Sequence, residues 1–318
     1  MNLISQNILE IKNLSVGFNI DDNFYYAIEG INLSFERGKI HCLVGESGCG
    51  KSVFISSILK LLPKNAVVKS GEIIFNGVDL AKIKEKDFNL YRGKNIFLIP
   101  QDPFMSLNPL YNVENQMLEV ASLKDNPKQK EIIKNALEEV KIKNIDNVLK
   151  SYPHELSGGM KQRIIIAMAL ISGAELILAD EPTTALDVSV SNSILNLLLD
   201  LKNKGKTIIL ITHDLSIASN YADSVNIMYL GKIVESANTL ELFKNPLHPY
   251  TKALLGAIPN KKGVRLSNII GQIPNIKEYI EGCKFYTRCE VVKDECKSQI
   301  PILSGKNHKC ACLFANGN

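Results

Sequence analysis

The chain has 318 residues, 45% of them hydrophobic and 22% charged, with a formal net charge of +4. That length and balance suit an ordinary globular protein with one large domain and an appendage. The small positive charge is scattered among acids with no basic stripe, which argues against nucleic acid as a partner.

The longest apolar run, Ile164 to Ile171, is eight residues, against the roughly 18 to 20 needed to cross a bilayer. Met1 to Glu10 lacks a basic stretch followed by an apolar one, so no export signal is expected and a cytoplasmic location is. Five of the seven cysteines fall after residue 280; in a reducing compartment, metal binding or burial is expected of them before disulfides.

Taken in chain order, residues 8 to 18 carry Ile11, Leu14, Val16 and Phe18 in partial alternation and predict an edge strand. Ile40 to Val44 predicts a buried strand and leads into Gly45-Glu46-Ser47-Gly48-Cys49-Gly50-Lys51-Ser52, followed by the helical stretch Val53 to Leu62. The form G-x-x-x-x-G-K-S between a strand and a helix is a phosphate-binding loop. Its glycines let the backbone curl around phosphates, and its amides and the helix start present positive charge. Lys51 neutralises phosphate oxygens, and Ser52 offers a hydroxyl to Mg²⁺.

Asn76-Gly77 between Ile73-Ile74-Phe75 and Val78 predicts a hairpin, so the front of the chain reads as antiparallel. Residues 103 to 172 read as mostly helical and inserted, with Ile132, Ile133, Ala136, Leu137 and Val140 on one face. Leu176 to Ala179 and Thr207 to Ile211 are continuous apolar runs that predict strands covered on both faces, with a helix from Ser189 to Leu201 between them. Asp180 ends the first strand, where ligands of open α/β sheets collect, and is the expected Mg²⁺ partner. Glu181 is an acid placed to polarise water for attack on a terminal phosphate. His213 follows the second strand and is expected to touch that phosphate and water. From Glu241 the Pro and Gly punctuation rises, and Pro259 to Gly263 predicts a linker into a tail module.

In the tail, Cys283, Cys289 and Cys296 are separated by five and six residues, and Cys310 and Cys312 follow. Those gaps fit structural zinc poorly, whereas four thiolates can hold an iron–sulfur cluster; unligated thiols are the third reading. Cys42 and Cys49 belong to a strand and to the loop and need no metal.

Leu156-Ser157-Gly158-Gly159-Met160-Lys161-Gln162-Arg163 resembles the signature motif of ATP-binding cassette (ABC) proteins, with Met160 where Gln is usual. Gln101 resembles that family's Q-loop glutamine, Asp187 in Ala185-Leu186-Asp187 its D-loop aspartate and His213 its switch histidine; the likeness covers about residues 8 to 250. Phe18 stands where the family places an adenine-stacking aromatic, with Phe24 and Tyr25 as rivals and a plain core role as the alternative. Gln101 to Pro109 and His248 to Leu255 resemble segments of the oligopeptide/dipeptide importer ATPases, a group that includes nickel and glutathione importers.

The resemblance implies a P-loop core of ABC ATPase type with an antiparallel β subdomain, an inserted helical subdomain at about 103–172 and a cysteine-containing C-terminal module. The nucleotide-binding domain would then be residues 1–258 and the extension 259–318. It implies ATP and Mg²⁺, the metal held through Ser52, Gln101 and Asp180, with Glu181, His213 and Gln101 catalytic. Ser157, Gly158, Gly159 and Met160 would contact ATP on an opposite cassette. Implied partners are a second ATPase subunit, a paralogue or else a second copy of this chain, two membrane permease subunits and an extracytoplasmic solute-binding protein, with this chain peripheral on the cytoplasmic side of the membrane. Gly282 to Cys289 also resembles the tail of peptide-importer ATPases, some of which hold a [4Fe–4S] cluster; this implies Cys283, Cys289, Cys296 and Cys312 as ligands, with Cys310 the near neighbour of the last. A soluble ABC ATPase of DNA repair or translation is the rival reading, disfavoured because no second cassette or long insertion is visible. A module that binds ATP without turnover is disfavoured by Glu181 and His213.

Overall fold

The computed structural model describes residues 5–123, 128–184, 186–257, 269, 271–278 and 280–315. The linker expected at Pro259 to Gly263 and the boundary at 258/259 lie outside the described residues.

The chain opens with strands β1 (Asn7–Ile20), β2 (Asn23–Glu36) and β3 (Ile40–Val44), helix α1 (Lys51–Ile58), then β4 (Ala66–Phe75) and β5 (Val78–Asp79). A short helix α2 (Glu85–Phe88) precedes β6 (Ile96–Ile99). Helices α3 (Pro103–Ser106), α4 (Val113–Ser122), α5 (Gln129–Glu139), α6 (Ile145–Lys150) and α7 (Gly158–Ser172) follow. Strands and helices then alternate through β7 (Leu176–Asp180), α8 (Val188–Asn203), β8 (Thr207–Thr212), α9 (Leu215–Tyr221) and β9 (Ser224–Tyr229). Last come β10 (Lys232–Asn238), α10 (Thr239–Lys244), α11 (Pro249–Gly256) and β11 (Lys309–Cys310). Two compact units result, one holding the described residues up to 36, 41–82 and those from 211 on, the other 37–40 and 83–210.

In the first unit an antiparallel sheet runs β2-β1-β4-β5. β1, expected at an edge, is paired on both sides: Leu9 opposes Phe35 of β2 and Phe75 of β4. Its own alternation says which residues point inward, and Leu9, Ile11, Leu14 and Val16 are indeed buried. It carries no information about how many neighbours bond to its backbone, which depends on β2 and β4. The β4–β5 hairpin turns at Asn76 (φ 49°) and Gly77 (φ 80°), two consecutive positive φ values of the kind that match the twist of the flanking strands.

The same unit carries β3, buried along its whole length, parallel to β9. β9 pairs antiparallel with β10, and the tail adds β11 to β10 at Glu235 and Ser236. Glu235 is fully buried there. Its carboxylate accepts from the amides of Leu247 (2.8 Å) and His248 (2.9 Å) and bonds His308 Nε2 (2.6 Å). His248 caps α11, its Nδ1 accepting from the Tyr250 amide at 3.1 Å.

Burial pushes His248 down to about 4 from its ordinary 6.5. The unfolded chain takes up a proton near the ordinary value and the folded chain does not, so this contribution is present above pH 6.5 and is lost as pH falls through 4. The gap corresponds to on the order of 3 kcal/mol. Thermal melting is therefore expected to decline across that window, and His248→Asn, which keeps a capping oxygen, is expected to flatten the decline; an unchanged slope in the variant rejects His248 as its source.

In the second unit β6 and β7 run parallel, with Leu98 opposite Leu178, and β8 is the other neighbour of β7. Leu176 to Ala179 and Ile208 to Leu210 are buried, as continuous apolar runs predict. α5 buries Ile133, Ala136 and Leu137, the face read from its periodicity. α7 is apolar around its circumference and packs against α3, α4, α5, α8 and β6, which accounts for its near-complete burial. Among the described residues no helix is long and apolar enough to cross a membrane.

Candidate functional site

The first unit holds the glycine-rich loop. β3 ends at Val44 and α1 begins at Lys51, so the loop is the whole connection between a buried strand and a helix start. Gly50 stands at the helix N-cap with φ 110°, and a Cβ there would lie 2.7 Å from the Ala27 carbonyl oxygen, so both conformation and close approach to β2 require glycine. Lys51 is only 5% exposed; its ammonium donates to the carbonyls of Gly45 (2.7 Å) and Glu46 (2.9 Å). Cys49 is buried beside it, and burial raises its thiol pKa, which keeps it a neutral packing group. Ser47, Gly48 and Ser52 are exposed.

Phe18 also lies in this unit, opposite Tyr25 on β2 and Ala66 on β4. It is half-buried, outside the buried core, while Phe24 meets Tyr26 edge-on at 5.0 Å. His213 is exposed one residue beyond β8, just before Asp214, which caps α9 by accepting from the Ser216 amide at 2.7 Å.

Two side chains that the sequence reading did not connect with the loop reach Glu46. Tyr250 Oη accepts from the Glu46 amide at 3.1 Å, and Arg288 donates to both carboxylate oxygens at 2.8 and 3.1 Å. Burial by itself opposes a charge on Arg288, but the bonds to Glu46 and Tyr229 outweigh it and raise its pKa. Glu46 and Arg288 are 242 positions apart, so no local pattern links them.

The second unit brings together Gln101, Asp180 and Glu181. Asp180 ends β7 at the position expected from the apolar run. Glu181 follows with φ 42°, a left-handed conformation that costs a non-glycine residue about 1 kcal/mol or more and is commonly stored at functional sites. Its carboxylate accepts from Thr184 Oγ1 at 2.9 Å and from Gln101 Nε2 at 3.5 Å.

The segment from Leu156 to Arg163 is the start of α7. Ser157 is its N-cap, with Oγ accepting from the Met160 amide at 3.3 Å; Gly158 and Gly159 form the first turn. Lys161, buried, sets its ammonium 3.7 Å from the centre of the Phe104 ring, tying α7 to α3. Asp187 is exposed and caps α8, accepting from the Val190 amide at 2.9 Å.

The cysteine-bearing tail belongs to the first unit. The Cys283 amide donates to the Cys296 carbonyl at 2.8 Å. Burial pushes the Cys283 thiol up to about 11, helped by the charges of Cys296, Cys312 and Cys289. Cys289 is raised by burial and then by Cys312 and Cys296. Cys283 and Cys289 thus lie within electrostatic reach of Cys296 and Cys312. Cys310 is raised by burial and then by Glu235 and Cys312, which sets it apart from Cys283, Cys289 and Cys296. Among the described residues, no group of three or more His, Cys, Asp or Glu converges as a single metal ion needs.

The family model described as ABC transporter matches residues 28–184, and that described as oligopeptide/dipeptide transporter, C-terminal region, matches residues 234–296. The chain is 40% identical over 319 residues to a probable peptide ABC transporter ATP-binding protein, y4tR, of Sinorhizobium fredii, spanning 97% of this chain and 95% of the relative. It is 39% identical to the oligopeptide transport ATP-binding protein AppD of Bacillus subtilis, over 95% of this chain and 96% of that protein. Its fold resembles that of cbiO1 from Clostridium perfringens, part of the ABC transporter complex cbiONQ, with a TM-score of 0.65 and 28% identity over 76% of this chain and 92% of the other.

Proposed function

The chain belongs to the ABC transporter ATP-binding proteins of the oligopeptide/dipeptide group, and on that premise we propose that it is the ATP-hydrolysing subunit that powers peptide uptake through permease subunits it does not contain. The observation that carries the reading is the joint presence, in one chain similar over nearly its full length to peptide-transport subunits, of a G-x-x-x-x-G-K-S loop between β3 and α1 and a serine-capped glycine turn opening α7.

Lys51, released from the carbonyls of Gly45 and Glu46, neutralises phosphate oxygens, while the loop amides and the start of α1 cradle the phosphates. Phe18, half-buried, stacks on the adenine. Ser52, Gln101 and Asp180 offer the oxygen ligands that Mg²⁺ prefers. When bound, Mg²⁺ neutralises phosphate charge. Glu181 takes the proton of the attacking water, and Gln101 and His213 orient that water and the terminal phosphate.

Ser157, Gly158, Gly159 and Met160 present the hydroxyl and first amides of α7 to the ATP of a second cassette, with Asp187 beside the shared boundary. The second cassette is a paralogous subunit, so the functional unit is a pair of ATPases on a pair of permeases, supplied by an extracytoplasmic solute-binding protein. Residues 103–172 act as the helical insertion that meets the permease on the cytoplasmic face of the membrane. Phe104, Met105, Leu110 and Tyr111 are all exposed around α3, the kind of apolar surface that a partner covers.

The segment 259–318 is an extension on a nucleotide-binding domain of 1–258, and its Cys283, Cys289, Cys296 and Cys312 are the thiolates that would hold a [4Fe–4S] cluster. Cys310 is instead paired with Glu235 in the β11–β10 ladder.

Gentle purification from the native membrane tests the reading. Two permease chains and a second ATPase are expected to co-purify, with iron and acid-labile sulfide present and with ATPase activity stimulated by peptides and not by Ni²⁺. Stimulation by Ni²⁺ alone would transfer the engine role to a metal importer, and recovery without membrane partners would count against transport.

A further inference from the structure

Glu46 is an acid inside a loop that has to receive the most negatively charged part of a nucleotide. Its carboxylate is gripped by the Arg288 guanidinium in a two-pronged pair, Nη1 to Oε2 at 2.8 Å and Nη2 to Oε1 at 3.1 Å. The Arg288 side chain is 4% exposed and that of Glu46 28%. The guanidinium is fixed from other directions as well, donating to the Gly271 carbonyl at 3.2 Å and lying 3.5 Å from Tyr229 Oη. The Glu46 amide goes to Tyr250 Oη, and its carbonyl accepts from Lys51 Nζ. Each polar group of Glu46 is thus engaged within the first unit.

Arg288 is held by more than its charge. It ends a one-turn helix, Tyr286–Arg288, three residues after Phe285, and side chains at that spacing project to the same side. The Phe285 ring lies 5.1 Å from Tyr229, which meets Arg288, and 5.3 Å from Tyr250, which bonds the Glu46 amide. The short stretch between Cys283 and Cys289 therefore sends Phe285 and Arg288 into the support of the phosphate loop.

We propose that Arg288 is a positioning residue for nucleotide binding: by neutralising and orienting Glu46, it makes the loop from Gly45 to Ser52 receptive to a polyphosphate. Without it, an unpaired carboxylate would stand within the loop that receives the phosphates, and the loop would lose a fixed anchor at its second residue. Like-charge repulsion at a partly buried site is screened far less than in bulk water. The inference rests on the reading of that loop as the nucleotide site.

Affinity of the intact chain for ATP, ADP and adenosine, measured for wild type, Arg288→Met, Arg288→Lys, Arg288→Met with Glu46→Gln, and Lys51→Ala, tests it. Arg288→Met is expected to weaken ATP binding about tenfold, the loss of a charge-assisted pair. ADP should lose less and adenosine nothing, with turnover at saturating ATP little changed. Arg288→Lys should recover part of the loss, because an ammonium keeps the charge without the fork; it carries the test if melting shows that Arg288→Met does not fold. Adding Glu46→Gln to Arg288→Met should restore most of the affinity by removing the unopposed charge, which a merely structural role for Arg288 does not predict. Wild-type ATP affinity in Arg288→Met, with affinity lost in Lys51→Ala, overturns the inference and leaves the nucleotide site standing. Equal losses for all three ligands, unrelieved by Glu46→Gln, reduce Arg288 to an anchor of the fold. Wild-type affinity in Lys51→Ala overturns the nucleotide reading and this inference with it.

Discussion

Glu181→Gln is expected to lower ATP turnover by about a thousandfold while leaving nucleotide affinity close to wild type, the range over which a positioned general base contributes. Glu181 follows β7 directly, so the sheet fixes its backbone, and its positive φ shows that the surrounding structure holds it in a conformation it would not choose alone. Its carboxylate oxygen accepts from Thr184 and Gln101. A glutamine in its place still presents one oxygen to those donors, so the local geometry has little reason to change. What is lost is the capacity to take a proton from water. Phosphate release and equilibrium nucleotide binding, measured side by side, separate the two effects. Undiminished turnover would sink Glu181 as the base, whereas loss of binding in parallel with turnover would make it a ligand of the nucleotide instead.

Lys51→Ala is expected to abolish measurable binding, a weakening of about a hundredfold or more, because it removes the charge at the loop's centre and leaves acceptors of the loop without their donor. In the structure the ammonium is buried and bridges the carbonyls of Gly45 and Glu46. Those two bonds hold the loop in a curled form, so in the proposed reading the same group both shapes the loop and neutralises its ligand. Arginine is not expected to substitute, since its wide planar head does not fit where a compact ammonium bridges two carbonyls. Titration with a fluorescent ATP analogue reads the loss, and melting temperature with and without ATP provides the control: ATP should raise it in wild type and leave it unmoved in the variant. An ATP-dependent rise that survives in Lys51→Ala would place the nucleotide elsewhere.

Arg288 is distinct from both. In the proposed reading Glu181 acts on water and Lys51 on phosphate, whereas Arg288 is bonded to Glu46, a member of the loop. A strong effect on affinity with a weak one on turnover is what distinguishes it from Glu181.

Much of this molecule is legible without coordinates because its chemistry uses consecutive residues. The loop from Gly45 to Ser52, the Asn76-Gly77 turn, the capped start of α7 at Ser157 and the acids Asp180 and Glu181 at a strand end are each complete within about ten residues of chain. The buried strands β3, β7 and β8 are equally plain, since a strand covered on both faces has no polar positions to interrupt it. Three features were not legible. The alternation of β1 predicts an edge strand, yet the strands that pair with it on both sides are supplied by other stretches of chain. The addition of β11 to β10 depends on a two-residue strand too short to leave a pattern. The grip of Arg288 on Glu46 joins residues 242 positions apart. What the phosphate loop is can be read from adjacent residues, because they set its backbone conformation and local charge. What holds that loop in place cannot, because a partly buried ion pair forms only where the fold brings two distant charges together.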